Sequence, residues 1–222
     1  AVSVTGGEIV IEDGMLMHRA PSPGTYVITL SDNTRKSVKV TAVPEKVELL
    51  TGWDLRLLSY GPTEKGASLS MENVYDYSVD PTIHVVTEVD FSNIALGTWS
   101  DLPATRAQLT QLGVEGMNKV SGIGYYTKTF ELNRDWNEHI GAYLKFDHNS
   151  DMITAVTING HRIGIVNQIS DLADAHKYFK KGTNTIEVKL DTTLQNRDPA
   201  AIEKTTYGLS GVTLIPYYQS KL

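Results

Sequence analysis

The chain lacks cysteine, long hydrophobic runs and clustered positive charge. None of its 222 residues is cysteine, which excludes disulfide bonds, thiol nucleophiles and cysteine-based zinc sites. No stretch approaches the roughly 18 consecutive apolar residues of a membrane-spanning helix. The formal net charge is -6 and the Lys and Arg residues are scattered. We therefore expect neither a nucleic acid nor a membrane as partner, since phosphate binding requires clustered positive charge.

Motifs of common enzyme classes are also missing. The six histidines form no HExxH or i, i+4 pair, which argues against a catalytic zinc. Gly122-Ile123-Gly124 precedes a strand pattern rather than a helix, so it does not fit a dinucleotide-binding loop. Ser210 lacks the flanking glycine pattern of a nucleophile elbow. The acidic residues lie mostly at strand edges and in turns, where a solvated surface is expected, so we predict no catalytic residue in this chain.

What the sequence contains is a series of short apolar runs, evenly spaced and separated by turns. The clearest turn is Asn159-Gly160, because a two-residue type I′ hairpin needs positive φ at both positions. This pattern predicts an all-β fold, a β-sandwich or jelly roll. The predicted strands after Val47 are residues 49–58, 82–91, 123–132, 142–147, 155–158, 161–166, 185–190 and 212–218.

The first 43 residues form a group of their own. Alternating apolar residues and turn residues predict strands at 7–12, 15–19, 25–30 and 37–43, and Pro44 follows as a hinge. We predict a small β-sandwich-like segment or partial domain at residues 1–43 and the larger sandwich at residues 44–222.

Two short helices and one core residue are predicted within the larger sandwich. Residues 104–113 have a helical pattern. In residues 170–179 we expect Asp171 to cap a helix that ends near Gly182. Trp53 lies among apolar neighbours, which indicates a core position.

Four passages of the sequence resemble a known family of domains. Together they are similar to the galactose-binding-like jelly rolls of large glycoside hydrolases, and most of all to the C-terminal domain of the α-L-rhamnosidases of glycoside hydrolase family 106. The resemblance covers roughly residues 47–218. The passages are residues 120–130, which fit S-G-x-G-x-Y-x-x-x-F; 156–164, which fit V-x-V-N-G-x-x-x-G; 169–188, which resemble D-I…L-K-x-G-x-N-x-I-x-V; and 192–197 with 207–212. The sequence lacks the tryptophan that often follows the Asn-Gly hairpin, having Ile165, Val166 and Asn167 there.

The resemblance implies a non-catalytic accessory module with a galactose-binding-like jelly roll at residues 44–222. In such enzymes the catalytic carboxylates, and the calcium that helps to hold rhamnose, belong to a separate barrel domain that no segment here resembles. The expected partners are the catalytic domain of the parent enzyme and a plant or microbial polysaccharide or oligosaccharide. The expected location is outside the cell.

Sugar-binding surfaces combine aromatic faces with polar groups that bind hydroxyls. With eleven tyrosines and three tryptophans, the chain has ample material for such a surface. A loop of oxygen-bearing residues, with Asp147, Asn149 and Asp151 as the candidate ligands, also suits a structural calcium ion. The candidate carbohydrate-binding residues are Trp99, Tyr125, Asp147, His148, Asn196 and Arg197.

Other interpretations remain open at this stage. The chain is alternatively a small glycoside hydrolase or polysaccharide lyase in its own right, or a purely architectural module between domains. Ser220-Lys221-Leu222 matches a peroxisomal import signal, and the competing interpretation is a polar tail after the last strand.

Overall fold

A computed structural model describes residues 3–61, 85–148, 152–163, 172–197 and 203–222. Over these residues the protein is an all-β sandwich of antiparallel sheets, as the sequence predicts. The strands of the N-terminal segment are β1 Ser3–Val4, β2 Glu8–Glu12, β3 Met15–Ala20, β4 Gly24–Thr29 and β5 Arg35–Val40. Those of the larger sandwich are β6 Val47–Glu48, β7 Thr51–Gly61, β8 Val85–Ala95, β9 Gly122–Leu132, β10 Ile140–His148, β11 Met152–Ile158, β12 His161–Arg162, β13 Leu172–Asp174, β14 Gly182–Asp191 and β15 Leu209–Lys221.

Each predicted strand has a counterpart in the structure, although parts of two predictions, residues 82–84 and 164–166, lie outside the described residues. The type I′ hairpin is also confirmed, because Asn159 and Gly160 both have positive φ and join β11 to β12.

One of the two predicted helices is present. Helix α1 spans Arg106–Leu112, with Thr105 and Gln108 forming a capping box and Gly113 ending the helix at φ 63°. Three short 3₁₀ turns lie at Trp99–Asp101, Met117–Lys119 and Gln195–Arg197.

The helix predicted at residues 170–179 is wrong over its described part. Leu172–Asp174 is strand β13, which pairs with β10. Leu172 is exposed, whereas Ala173 and Ala175 are buried, and this period of two is that of a half-buried strand rather than a helix. Strand β13 lies at the edge of its sheet. Residues 170 and 171, which include the expected cap Asp171, lie outside the described residues.

Two six-stranded sheets share one core, and the second of them includes strands β2 and β3 of the N-terminal segment. The first sheet has the order β12-β11-β14-β9-β7-β8, and the second has the path β13-β10-β15-β3-β2, with β6 also paired to β15. Trp53, Leu55 and Tyr126 of the first sheet are buried in the same cluster as Leu144 and Leu214 of the second. The predicted core position of Trp53 is confirmed.

The last strand connects this sandwich to the N-terminal segment. β15 pairs with β10 along most of its length and with β3 at its end, where Tyr218 opposes Ala20. Strands β1, β4 and β5 form a third sheet, and a second core cluster contains Ala20, Tyr26 and Ile28, with Tyr218 packed against it. The N-terminal segment therefore completes its core with a strand of the larger sandwich. The division between residues 43 and 44 stays a prediction.

The C-terminal tripeptide is part of this arrangement. Ser220 and Lys221 pair with His18 and Met17 of β3, and the Leu222 N–H donates to the Leu16 carbonyl at 3.0 Å. The expectation of a polar tail after residue 218 is therefore wrong, because backbone hydrogen bonds extend the strand.

In the first passage of the family resemblance, the motif letters Gly122, Gly124 and Tyr126 are buried. In S-G-x-G-x-Y, a side chain at Gly122 would collide with the Leu58 carbonyl, and one at Gly124 would lie 2.9 Å from the Trp99 ring. Tyr126, the motif tyrosine, is 1% exposed. These residues allow β9 to approach β7 and the Trp99 indole closely.

Two further motif positions are asparagines, Asn159 in the hairpin passage and Asn184 in the passage that leads into β14, and their side chains bond each other. The Asn159 amide N–H donates to Asn184 Oδ1 at 2.9 Å, and Asn184 Nδ2 donates to the carbonyls of Lys180 and Gly182 at 2.7 and 2.8 Å. Asn184 is fully buried. The pair thus ties the β11–β12 hairpin to the turn that leads into β14.

A buried arginine holds the N-terminal hairpin against the larger sandwich. Arg19 of β3 is 4% exposed and donates to Asp174 Oδ2 at 2.7 Å, to the Tyr143 hydroxyl at 2.7 Å and to Gln219 at 2.9 Å. Burial, and next the Asp174 charge, raises the pKa of Tyr217. The Tyr217 hydroxyl therefore keeps its proton and donates to the other Asp174 oxygen at 3.0 Å.

We expect Asn184→Ala to lower the free energy of unfolding by about 3 kcal/mol, because it leaves several buried polar groups unpaired. Urea unfolding of the full chain measures this change. The matched control Asn118→Ala removes an exposed amide and should change the free energy by less than about 0.5 kcal/mol. Equal effects of the two substitutions would contradict the role of Asn184.

We expect Arg19→Met to lower the free energy of unfolding by about 3 kcal/mol, because it leaves the Asp174 carboxylate without its cation. The same unfolding measurement applies. Lys46→Met is the control, because Lys46 pairs with Glu48 on the surface, and it should not move the midpoint measurably. A midpoint unchanged in Arg19→Met would show that Arg19 does not hold the two parts together.

Candidate functional site

A cleft of about 620 Å³ crosses the outer face of the β12-β11-β14-β9-β7-β8 sheet. We call it the strand-crossing cleft. Its walls are outward-facing side chains of β8, β7, β9, β14 and β11, and Leu55, Phe91, Tyr126 and Val188 contribute to its floor. The outward side chains form two rows that run across the strands.

The first row centres on an aromatic residue. It runs from Asp90 through Arg56, Tyr125 and Lys189 to Ala155, each opposite the next in the strand register. The Arg56 guanidinium carbon lies 4.8 Å from the Tyr125 ring centroid, a cation–π contact. The Lys189 ammonium is held by Asp191, 3.0 Å away on the same strand.

The second row is made of carboxylates and hydroxyls. Asp54, Thr127, Glu187 and Thr157 follow one another across β7, β9, β14 and β11. Asp54 accepts a hydrogen bond from the backbone N–H of Asn93 at 3.0 Å, which fixes its carboxylate. Asp54 and Glu187 are both exposed, so their oxygens can accept hydrogen bonds from a ligand.

The charge of the cleft is mixed. Asp54, Asp90 and Glu187 carry three negative charges, and Arg56 and Lys189 carry two positive ones. Within the described part of the chain the Arg56 guanidinium contacts the Tyr125 ring and has no ion-pair or hydrogen-bond partner. Its N–H groups are therefore available to a ligand, next to an aromatic face and several acceptors.

The orientation of Tyr125 follows from its neighbour. The Tyr126 hydroxyl accepts from the Trp99 indole N–H at 2.7 Å and from the Leu209 backbone N–H at 3.3 Å, both inside the core. Successive side chains of a strand point to opposite faces. Because Tyr126 is held inward, Tyr125 must face the cleft.

Of the six candidate residues predicted from the sequence, Tyr125 lines the strand-crossing cleft. Trp99 lies in the core, 1% exposed. Besides its bond to Tyr126, its ring meets the Tyr207 ring edge-on at a centroid distance of 6.0 Å. These contacts give Trp99 a packing role at the loop end of the sandwich.

Asn196 and Arg197 hold loops together. The Asn196 side chain is 4% exposed and exchanges hydrogen bonds with the backbone of Thr205, at 2.6 and 2.7 Å. Arg197 donates to the Ser59 hydroxyl and to the Leu112 carbonyl, both at 2.8 Å, and so fixes the end of α1. Burial lowers the pKa of Arg197.

Trp99 and Asn196 also border a small hollow at this loop end, together with Lys204 and Tyr207. Its volume is about 80 Å³, room for two or three water molecules at about 30 Å³ each. The strand-crossing cleft is far larger, which makes it the better candidate for a sugar site.

The remaining predicted residues lie near the end of β10. Asp147 is exposed and accepts from the Lys145 ammonium at 3.1 Å. His148 ends the strand, and nothing is described of its side chain. Asn149 and Asp151 lie outside the described residues, so the calcium site stays a prediction. Among the described residues, no group of three or more His, Cys, Asp or Glu side chains is placed to hold a metal ion.

Five cleft residues were not predicted from the sequence: Arg56, Asp54, Asp90, Glu187 and Lys189. The available signal was the alternation of each strand. Once Trp53, Leu55 and Leu57 are assigned to the core, Asp54 and Arg56 must face outward. What the sequence does not give is the strand order that places these positions side by side.

No protein-family model and no curated protein matches the chain. Among the described residues, no helix has the length and apolar character needed to cross a bilayer.

The chain is similar to parts of several solved glycoside hydrolase structures. A rhamnosidase from Novosphingobium sp. PP1Y is 10% identical with a TM-score of 0.45, and the match covers 99% of this chain and 25% of that one. A glycoside hydrolase family 2 member from Bacteroides cellulosilyticus is 18% identical with a TM-score of 0.43, over 78% of this chain and 21% of that one. For the β-glucuronidase of Ruminococcus gnavus the values are 15%, 0.41, 78% and 29%. The chain therefore spans less than a third of the length of each of these proteins.

Proposed function

We propose that this chain is a non-catalytic carbohydrate-binding module, a galactose-binding-like jelly roll that serves a larger α-L-rhamnosidase-like glycoside hydrolase outside the cell. The observation that carries the proposal is the Tyr125 ring, held outward in a cleft of about 620 Å³ between carboxylates and a guanidinium group. An aromatic face with a few placed polar groups is the general form of a sugar site.

We infer a position for the sugar ring from the surroundings of Tyr125. Arg56 contacts the Tyr125 ring from the β7 side, so a sugar would approach the ring from the β14 side. On that side Asp191 draws the Lys189 ammonium along the strand, and the next residue across is the small Ala155. A sugar stacked there has Glu187 of the second row, on the neighbouring strand β14, within the same part of the cleft.

The sequence motifs support the assignment to a glycoside hydrolase. They resemble a domain whose parent has its catalytic carboxylates elsewhere. Binding at the strand-crossing cleft would then act by keeping the parent enzyme close to its polysaccharide, which raises the effective substrate concentration without any chemistry in this chain.

Hydrolysis by this chain alone is the competing function, because Asp54 and Glu187 lie on strands that flank β9. Their backbones are about 10 Å apart at a strand spacing near 4.8 Å. A glycosidase also needs one carboxylic acid kept protonated by a desolvated setting, whereas Asp54, Asp90 and Glu187 are all exposed. Release of reducing sugar by the purified chain would favour hydrolysis over binding.

A purely architectural role is the third candidate. In that case another domain of the parent would cover the outer face of the sheet, and the isolated chain would bind no glycan. The binding measurement below separates this role from the proposed one.

We expect Tyr125→Ala to weaken glycan binding by about tenfold or more, which corresponds to about 1.4 kcal/mol, because the substitution removes the stacking surface. Tyr125→Phe keeps the ring and should retain binding to within about threefold. Isothermal titration with pectic and arabinogalactan oligosaccharides, and with rhamnose and galactose, measures both.

Tyr178→Ala is the matched control, since Tyr178 is a half-buried tyrosine stacked on His161 outside the cleft. It should leave affinity unchanged. Binding that survives Tyr125→Ala at full strength would move the site elsewhere, and no heat with any glycan would leave the architectural role.

A further inference from the structure

The strand-crossing cleft is long and crosses many strands. Its lining reaches from Asp90 on β8 to Thr157 on β11, a width of five strands. Four strand spacings of about 4.8 Å amount to roughly 19 Å. The distance between neighbouring strands is also close to the length of one sugar unit in an extended chain. The cleft therefore has room for several consecutive units.

The polar groups of the cleft repeat with the strands. β7 contributes Arg56 and Asp54, β9 contributes Tyr125 and Thr127, and β14 contributes Lys189 and Glu187. Each strand thus presents one residue in each row at a regular interval. A regular series of donors and acceptors suits a ligand that is itself a repeat.

The charges select against a polyanion. Three carboxylates line the cleft, while one of its two cations, Lys189, is neutralised by Asp191 at 3.0 Å. A chain of uronic acids would place its own carboxylates among those of Asp54, Asp90 and Glu187, and these like charges would repel one another. Hydroxyl groups of an uncharged sugar would instead donate to these oxygens.

We propose that the cleft binds an internal stretch of a neutral, extended glycan lying across the strands, with Tyr125 at its centre. This inference rests on the proposed carbohydrate-binding function and adds the class of ligand and the mode of binding. A site for a single terminal sugar would need groups converging on one point, whereas these groups form two parallel rows.

The first test is affinity gel electrophoresis of the full chain in gels containing neutral galactan, arabinogalactan, xyloglucan or mixed-linkage glucan, or anionic polygalacturonate. We expect retardation by at least one neutral polysaccharide and none by polygalacturonate. Retardation by polygalacturonate alone would overturn the neutral class while leaving carbohydrate binding intact. Free migration in every gel would refute the proposed function itself.

The second test is isothermal titration with oligosaccharides of one to five units prepared from the polysaccharide that retards the chain. We expect the affinity to rise at least about tenfold between the disaccharide and the tetrasaccharide and then to level off, as each occupied strand adds contacts. A monosaccharide that binds as tightly as the tetrasaccharide would overturn the extended mode without touching the proposed function.

Variants at the two ends of the cleft make the test specific. Asp90→Asn and Thr157→Val should each weaken the tetrasaccharide by about threefold to tenfold, the range of one lost hydrogen bond, and leave the disaccharide unchanged. Tyr125→Ala should weaken both ligands. Glu131→Gln is the control, because Glu131 lies on the same strand outside the cleft and accepts from Thr183, and it should change neither. If Asp90→Asn and Thr157→Val weakened the disaccharide as much as the tetrasaccharide, the glycan would not extend across the strands as proposed.

Discussion

The hydrogen bond from the Trp99 indole to the Tyr126 hydroxyl fixes the orientation of β9. It thereby determines which β9 side chains lie on the outer face of the sheet. Both side chains lie in the core, and Gly124 leaves the space that the indole fills. With Tyr126 inside, Tyr125 and Thr127 must point outward. A slip of one residue would reverse both faces, so the same bond that packs the core also determines which side chains reach the cleft.

The last strand provides the second constraint. β15 pairs with β10 in the larger sandwich and with β3 in the N-terminal segment, and Tyr218 packs against both core clusters. Arg19 adds a buried charge that reaches Asp174 across the sheet. The N-terminal segment is thus joined by backbone pairing and by an ion pair, on the sheet opposite the strand-crossing cleft.

The fold was largely predictable because its signals are local. Alternation and turn residues located the strands, and Asn159-Gly160 identified the hairpin. The motif letters Gly122, Gly124 and Tyr126 are packing residues, whereas cleft residues such as Tyr125 occupy the x positions of the same motifs. The motifs therefore describe the fold and not the site. The cleft depends on which strands are neighbours, and that pairing between distant segments is not written in any local pattern.

We propose that the outer face of the sheet, and not the loop end, contacts the glycan. An NMR titration tests this proposal. Backbone amide chemical shifts are followed while a glycan that binds the chain is added. We expect the largest changes at residues 125–127 and 187–189. If the changes were concentrated around Trp99, Asn196 and Arg197 and the shifts of β9 and β14 stayed constant, the glycan would bind at the loop end instead.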